Sequence, residues 1–259
     1  MKTIILCGGI GTRLKEETEF KPKPMVYVGD KPIIWHIMKI YSHYGYNEFV
    51  LALGYKAEYI KDFFLNQKAF TTDFTLKTRN HRTRFYLGNR KEVDDFEITF
   101  VDTGLETLIG ERILRCQKYI PKKNKYFMVT YGDGVTDLNI KKLIRFHKKQ
   151  GTIGTITGVH PYSKYGLVKV TGSNLVKKFV EKPLLADWVN GGFMVFDRRA
   201  FDYFKPGEME HPALQRLAKK KQLSLYQHNG FWYALDTYKE LEKLNKLWSL
   251  SNPPWKVWK

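Results

Sequence analysis

The sequence holds two cysteines, Cys7 and Cys116, among 259 residues. Two thiols so far apart make neither a disulfide framework nor a zinc site. Both are expected to be reduced and buried, as in a cytoplasmic protein. Long apolar runs are missing as well: nothing approaches the roughly 20 residues that cross a bilayer. The apolar run after Lys2 is broken at Gly8, which is too short for a secretion signal. There is no internal repeat, no low-complexity tract and no clear linker. Residues 1–259 therefore read as a single domain. The histidines (His36, His43, His81, His147, His160, His211 and His228) are scattered, and none has triad spacing with a serine or cysteine. Acidic side chains are scarce, with 26 against 44 basic ones, for a formal charge of +18. That excess suggests either a lysine-rich solvated surface or an anionic partner. The basic residues are spread along the whole chain, and no RNP pair or helix-turn-helix pattern accompanies them. A nucleic-acid-binding protein is the rival reading on charge alone, and it would show steep salt dependence.

What is present is an alternation of strands and helices. "KTIILC" is a β-branched run ended by glycine, a buried strand. "KPIIWHIMKIYSHYG" reads as a helix with Pro32 in its first turn and Gly45 as its stop. "NEFVLALGY" is the next strand and "AEYIKDFFLN" the next helix, a spacing that implies parallel pairing. Residues 66–100 interrupt this rhythm: "DFTLKTRN" and "RTRFYLGN" predict an inserted β-ribbon, and "FEITFVDTG" a further strand. "GERILRCQKYI", "KYFMVTYGDG", "IKKLIRFHKKQ" and "TIGTITGV" then resume helix, strand, helix, strand. Past residue 160, "YGLVKVTGSNLVKKFVEKP" is a hairpin about Gly-Ser-Asn. "WVNGGFMVF", "LSLYQH" and "FWYALDT" are strands, and "PALQRLAKKKQ" and "YKELEKLNKLWSL" are helices. The expected fold is α/β, a mostly parallel, Rossmann-like sheet flanked by helices, with the inserted ribbon and a smaller β-rich lobe. Residues 1–160 form the main part and 161–259 the second.

Chemistry concentrates in "LCGGIGTRLKEETEFKPKP", residues 6–24. Gly8, Gly9 and Gly11 follow the first strand directly, and Arg13, Lys15, Lys21 and Lys23 come next. A bare backbone at a sheet edge can turn its N–H groups on an anion, because no Cβ blocks the approach. The pattern is neither G-x-G-x-x-G, since Leu14 stands where the last glycine would be, nor a Walker A loop. A tight turn without a ligand is the competing reading. Lys23 sits between Pro22 and Pro24, in a stiff segment that leaves it little freedom to lose on gripping a phosphate. Asp133, between Gly132 and Gly134, ends a buried strand, where α/β sheets bind ligands. It suits Mg²⁺, and also a plain turn. Asp236 ends another strand and could equally cap the last helix. "NGG" at 190–192 offers an amide and bare backbone to sugar hydroxyls, or is a plain turn.

The motif "LCGGIGTRLKEETEFKPKPM" resembles the signature L-x-G-G-x-G-T-R-L…P-K-P-M of the sugar-1-phosphate nucleotidylyltransferases. The likeness continues through "VDTG", "TYGDGVTDLNI", "EKP", "NGGF", "GFW…DT" and "PPWKVWK", essentially the whole chain. The longer amino-terminal run is similar to members that transfer a cytidylyl group. The resemblance implies CTP and glucose 1-phosphate as substrates, CDP-glucose and pyrophosphate as products, and Mg²⁺ as cofactor. Another nucleoside triphosphate or another sugar 1-phosphate is the alternative within the family. By resemblance, Leu6, Cys7, Gly8, Gly9, Ile10, Gly11 and Thr12 cradle the triphosphate, while Arg13 and Lys23 neutralise it. Thr107, Arg112 and Gly132 also contact the nucleotide, and Asp133 and Asp236 hold the metal. Tyr131, Glu181, Lys182, Asn190 and Gly191 face the sugar phosphate. Arg13, Lys23 and Asp133 are the catalytic set. Taken on its own, Arg112 on a helix face reads as a solvated charge. Two segments depart from the family pattern: "LLADWV" between "EKP" and "NGG" is short, and "PYSKYG" stands where "PPGRFG" is expected. Neither nucleic acid nor a membrane is an expected partner. A homo-oligomer is expected, and the tail "NPPWKVWK" reads either as an intersubunit contact or as a segment folded back on its own chain.

Overall fold

The computed structural model describes residues 1–86 and 94–258. Its centre is a seven-stranded sheet. In chain order the strands are β1 (Thr3–Cys7), β2 (Glu48–Leu53), β3 (Glu97–Asp102), β4 (Tyr126–Tyr131), β5 (Gly154–Val159), β6 (Val189–Asp197) and β7 (Leu223–Gln227). Their spatial order is β7-β5-β6-β4-β1-β2-β3. β1 is parallel to both β2 and β4, β2 to β3, and β5 to β7. Only β6 runs against its neighbours β4 and β5.

The apolar run of β1 has no polar alternation because both its faces are covered. Ile5 and Cys7 enter one core cluster and Ile4 and Leu6 the other. β2 repeats this: Phe49, Leu51 and Leu53 go to the first cluster, Val50 and Ala52 to the second. Each Ile, Leu, Val and Phe side chain among them contributes about 1.5–3 kcal/mol on burial. One cluster is closed by α1 (Ile33–His43) and α2 (Ala57–Thr71), with α4 (Ile140–Gln150) and α6 (Tyr238–Trp248). The other is closed by α3 (Ile109–Arg115) and α5 (Glu210–Lys219). The helix expected over 110–120 tightens after Arg115 into a 3₁₀ turn, Gln117–Tyr119, ahead of Pro121.

From β1 the chain moves to β2 on one side, yet after β3 it crosses to β4 on the other. The order β3-β2-β1-β4 is that of a doubly wound sheet with its switch point between β1 and β4. Two strands expected in the β-rich second part, β6 and β7, enter this central sheet instead of standing apart. The inserted ribbon is present as Asp73–Lys77 paired with Arg82–Tyr86. The end of the strand expected at "RTRFYLGN", residues 87–89, lies outside the described residues. The Gly-Ser-Asn hairpin forms as Leu167–Val170 against Val176–Val180 and, among the described residues, pairs only with itself.

The carboxyl-terminal tail folds back on its own chain. Trp255 is fully buried and stacks on Trp248 and Phe231, with ring centroids 5.9 and 5.7 Å away. That corrects the intersubunit alternative for this residue. The Trp255 indole donates to His36 Nδ1 (3.4 Å), and His36 Nε2 donates to the Val28 carbonyl (2.9 Å). The carbonyl only accepts, so His36 is the neutral Nε2–H tautomer.

Burial holds His36 and His147 far below the ordinary imidazole value, each at about 4. Below about pH 6.5 the unfolded chain therefore takes up protons that the native state refuses. Stability falls from there to about pH 4, by up to ~1.4 kcal/mol per pH unit for each histidine, and this contribution then levels off. Thermal unfolding between pH 7 and 5 should show the decline above the range in which carboxylates titrate. The double variant His36→Gln/His147→Gln should flatten it, and an unaltered slope contradicts the assignment.

Candidate active site

A cavity of about 430 Å³ opens at the carboxyl ends of β1 and β4, at the switch point. Leu6, Cys7, Gly8, Gly9, Ile10, Gly11 and Arg13 form one wall, and Tyr131, Gly132 and Asp133 another. The amides of Gly9, Ile10 and Gly11 donate to no partner among the described residues. Gly11 has φ +72°, and a Cβ there would come within 2.9 Å of Thr18. A Cβ on Gly8 would collide with the Arg112 guanidinium, whereas one on Gly9 would meet no protein atom within 4 Å. The turn is thus packed tightly from behind and bare on its open side.

Arg112 supports the turn from behind. It is 4% exposed and donates to the carbonyls of Leu53 (3.1 Å), Gly104 (2.7 Å), Gly8 (3.1 Å) and Leu105 (2.8 Å) and to Thr103 Oγ1 (2.5 Å). The reading as a solvated charge is overturned. Only the planar fork of arginine reaches acceptors in two loops at once. A shorter cation would leave buried carbonyls without donors, at about 1–3 kcal/mol each. Arg112 and Thr107 both line the cavity.

Two carboxylates meet one ammonium at the cavity rim. Lys23 Nζ donates to Asp133 Oδ2 (2.6 Å) and Asp236 Oδ1 (2.9 Å). The meeting follows from local pairing. Trp232–Ala234 lies antiparallel to Gly134–Thr136, and the Leu235 amide donates to the Asp133 carbonyl (2.8 Å). Asp236 is not the cap of α6. Thr237 holds that position, and the Glu240 carboxylate takes the amides of Asp236 (2.6 Å) and Thr237 (2.8 Å). The Asp236 carboxylate is left free for cations: Lys23, Arg13 (2.9 Å) and, more distantly, Lys164 (3.7 Å). Burial opposes the charge on Asp236, but the Lys23 hydrogen bond and the neighbouring cations outweigh it and hold the carboxyl low. Burial likewise opposes the charge on Lys23, and Asp133 and then Asp236 outweigh it, so the ammonium titrates above its ordinary value. Burial also pushes the Cys7 thiol up, which leaves it unsuited to nucleophilic attack.

The donor chemistry fits a hard divalent cation: two carboxylates already converge on a single positive charge. No group of three or more His, Cys, Asp or Glu gathers among the described residues. A Mg²⁺ ion held here would complete its shell from water and phosphate, which is its usual habit.

The sugar-side residues are placed unevenly. Tyr131 lines the cavity, and Asn190 Nδ2 reaches its phenol oxygen (3.4 Å). The Gly191 carbonyl accepts from the Trp232 indole (2.8 Å). Lys182 and Glu181 pair with each other (3.3 Å), half or more exposed, and neither borders the cavity. They leave the end of the projecting hairpin, whose strands pair, among the described residues, only with each other. Thr12 sits in the 3₁₀ turn Thr12–Leu14 and also lies off the cavity wall. Three residues not singled out in the sequence do take part. Lys164, from the departing segment "PYSKYG", also approaches Glu240 (3.7 Å). Met209 borders the cavity, and Glu210 accepts from the Tyr131 hydroxyl (2.8 Å). The cation in "PYSKYG" was the only visible sign of the first; nothing local marked the other two.

Over 261 aligned residues and the full length of both chains, the sequence is 43% identical to a Bacillus subtilis protein named probable glucose-1-phosphate cytidylyltransferase. It is 40% identical, again at full length, to the glucose-1-phosphate cytidylyltransferase of Salmonella typhimurium. Among solved structures, HddC from Yersinia pseudotuberculosis superposes with a TM-score of 0.69 at 23% identity, covering 96% of this chain and 99% of the other, a likeness of fold. Residues 2–247 match the family model described as nucleotidyl transferase, and the chain belongs to that family.

Proposed function

We propose that the chain transfers a cytidylyl group from CTP to α-D-glucose 1-phosphate, releasing CDP-glucose and pyrophosphate. The geometric observation that carries the reading is the bare turn Gly8–Gly11 facing Lys23 and two carboxylates at the switch point. Full-length similarity to two cytidylyltransferases supports the choice of base and sugar. A phosphate oxygen of the sugar phosphate attacks the α-phosphorus in line, and the bond to the β-phosphate oxygen breaks. The attacking phosphate is already ionised at neutral pH, so no side chain has to remove a proton. No histidine lines the cavity among the described residues. What the protein must overcome is the repulsion between two anions, by positioning and preorganised positive charge.

The free amides of Gly9, Ile10 and Gly11 hold phosphate oxygens, with Leu6, Cys7, Thr12 and Gly132 shaping the nucleotide's path. Arg13 and Lys23 leave their carboxylate partners for the triphosphate. Thr107 and Arg112 complete the nucleotide side, Arg112 chiefly by fixing the turn. Asp133 and Asp236 would hold Mg²⁺, which when bound would draw charge from the reacting phosphates. Tyr131, Asn190 and Gly191 take the sugar, so residues 1–160 serve mainly the nucleotide and 161–259 mainly the sugar phosphate. Glu181 and Lys182 reach the sugar phosphate only if the projecting hairpin is held differently. That hairpin exposes Val170, Leu175, Val176 and Phe179, each 59–68% accessible. A two-stranded ribbon with bare apolar faces is marginal alone, which favours a homo-oligomer, to be read by sedimentation velocity. No helix among the described residues is long and apolar enough to cross a membrane, and the cytoplasm, where CTP is made, is the proposed location.

The test is a panel of the common nucleoside triphosphates against several sugar 1-phosphates with Mg²⁺, reading pyrophosphate release. CTP with glucose 1-phosphate should give the highest kcat/KM. A clear preference for another pair would retain the reaction class and replace the substrates.

A further inference from the structure

Basic residues lie all along the chain, and folding gathers ten of them at one end of the central sheet. β4, β5 and β7 begin at this end, and the antiparallel β6 finishes there. The loop before β4 brings Lys122, Lys123 and Lys125, and the turn after β6 brings Arg198 and Arg199. The end of α4 adds Lys148 and Lys149, and the end of α5 adds Lys219, Lys220 and Lys221. Backbone bonds hold these stretches side by side. The Arg198 amide donates to the Lys125 carbonyl (2.8 Å), that of Asp197 to Ile153 (2.8 Å) and that of Gly154 to Gln222 (3.0 Å).

Little offsets this charge. Residues 122–125, 148–151, 197–202 and 219–222 hold two acids, Asp197 and Asp202. Asp197 is buried and pairs with Arg199 (2.9 Å), which is the one carboxylate contact of the ten cations among the described residues. All but Arg198 are exposed. Cations at helix carboxyl ends complement the helix dipole, which accounts for the lysines of α4 and α5. It does not account for the five cations in the loop before β4 and the turn after β6.

Shape and side-chain type narrow the partner. α4 packs on one face of the sheet and α5 on the other, so the cations cover the ends of three layers. A nucleic-acid strand follows a track that pairs cations with stacking aromatic rings. Here the cations form a broad patch, eight of the ten are lysines, and no aromatic ring in these stretches is exposed. Lysine is a point charge without the fork of arginine, and it suits a diffuse array of phosphates. No large apolar side chain in these stretches is exposed either, so nothing is available to insert. The cavity opens at the opposite end, six residues of β4 or about 20 Å away.

We propose that this end of the sheet docks on an anionic membrane surface, with its lysines on phosphate headgroups and the active-site mouth turned to solvent. The contact is peripheral and is made from the cytoplasm. It replaces the sequence expectation of no membrane partner, and it does not depend on the reaction proposed above.

The test is co-sedimentation with vesicles of phosphatidylcholine alone or mixed with phosphatidylglycerol. Wild type should bind the mixed vesicles only. Binding should vanish between about 0.1 and about 1 M NaCl, as the Debye length falls from about 10 to about 3 Å. Each lysine near an anionic surface is worth about a fivefold gain in partitioning. Lys122→Gln/Lys149→Gln/Lys219→Gln, one change in each layer, should therefore weaken binding by about 10²-fold. Lys77→Gln/Lys239→Gln/Lys246→Gln removes the same charge from the inserted ribbon and α6 and should cost about threefold or less. Pyrophosphate release should be equal in all three proteins. A second set, Lys123→Gln/Lys148→Gln/Lys220→Gln, gives the same reading if the first fails to fold. No binding of wild type to the mixed vesicles, or equal losses in the patch and control variants, would overturn the proposal. So would a DNA duplex that strips wild type from the vesicles at equal phosphate concentration, which would make nucleic acid the preferred partner.

Discussion

Asp133→Asn should lower kcat by about 10²–10³-fold while leaving the fold intact. The substitution changes one atom and removes one negative charge. Asparagine is as good a turn residue as aspartate between two glycines. If Asp133 served only the Gly132–Gly134 turn, the variant would have wild-type kinetics. If its carboxylate holds the cation at the reacting phosphates, the loss falls on turnover and cannot be offset by substrate concentration. Metal-free CTP should bind the variant as well as it binds wild type or better, because a repelling charge has gone from the cavity rim. Steady-state kinetics together with calorimetric CTP titration in chelator read both halves. Wild-type kcat in Asp133→Asn would remove the carboxylate from the reaction.

Lys23→Met should have two effects of opposite sign. The side chain keeps most of its length and loses its charge. Turnover, read as kcat/KM with CTP, should drop by about 10²–10³-fold, because a preorganised cation is lost where charge develops. Divalent-ion binding to the nucleotide-free protein should strengthen. In wild type the Lys23 ammonium lies 2.6 Å from Asp133 and 2.9 Å from Asp236, occupying the position between both carboxylates. Any divalent ion must first displace this internal counter-ion. Without it, two like charges face each other and gain more from an added cation. Mn²⁺ titration followed by electron paramagnetic resonance, without nucleotide, should show tighter binding in Lys23→Met. Equal or weaker binding would mean that the carboxylate pair is not where the ion sits.

Much of this was legible in the chain. The unalternating apolar run of β1 announced a strand buried on both faces, and the strand–helix rhythm announced parallel pairing. The glycine turn, the proline-held Lys23 and the strand-end Asp133 are local features, and each lies on or beside the cavity. What escaped were properties of pairing at a distance. No local pattern says that β6 runs antiparallel into the central sheet, because register depends on partners far along the chain. Arg112 shows the limit well. A helical arginine with polar neighbours reads as solvated, and only the folded chain brings five acceptors around it. Glu210 was hidden for the same reason: its partner Tyr131 is 79 residues away. Lys182 is the opposite case: a motif can name a residue but cannot aim the hairpin that carries it, and here the side chain stands off the cavity.

A crystal structure of the protein with CTP and Mg²⁺ tests the central claim most directly. The account predicts phosphate oxygens on the amides of Gly9–Gly11, the ion on Asp133 and Asp236, and Lys23 drawn off both carboxylates onto the triphosphate. A nucleotide bound elsewhere, with the Lys23 bridge to Asp133 and Asp236 still closed, would contradict it.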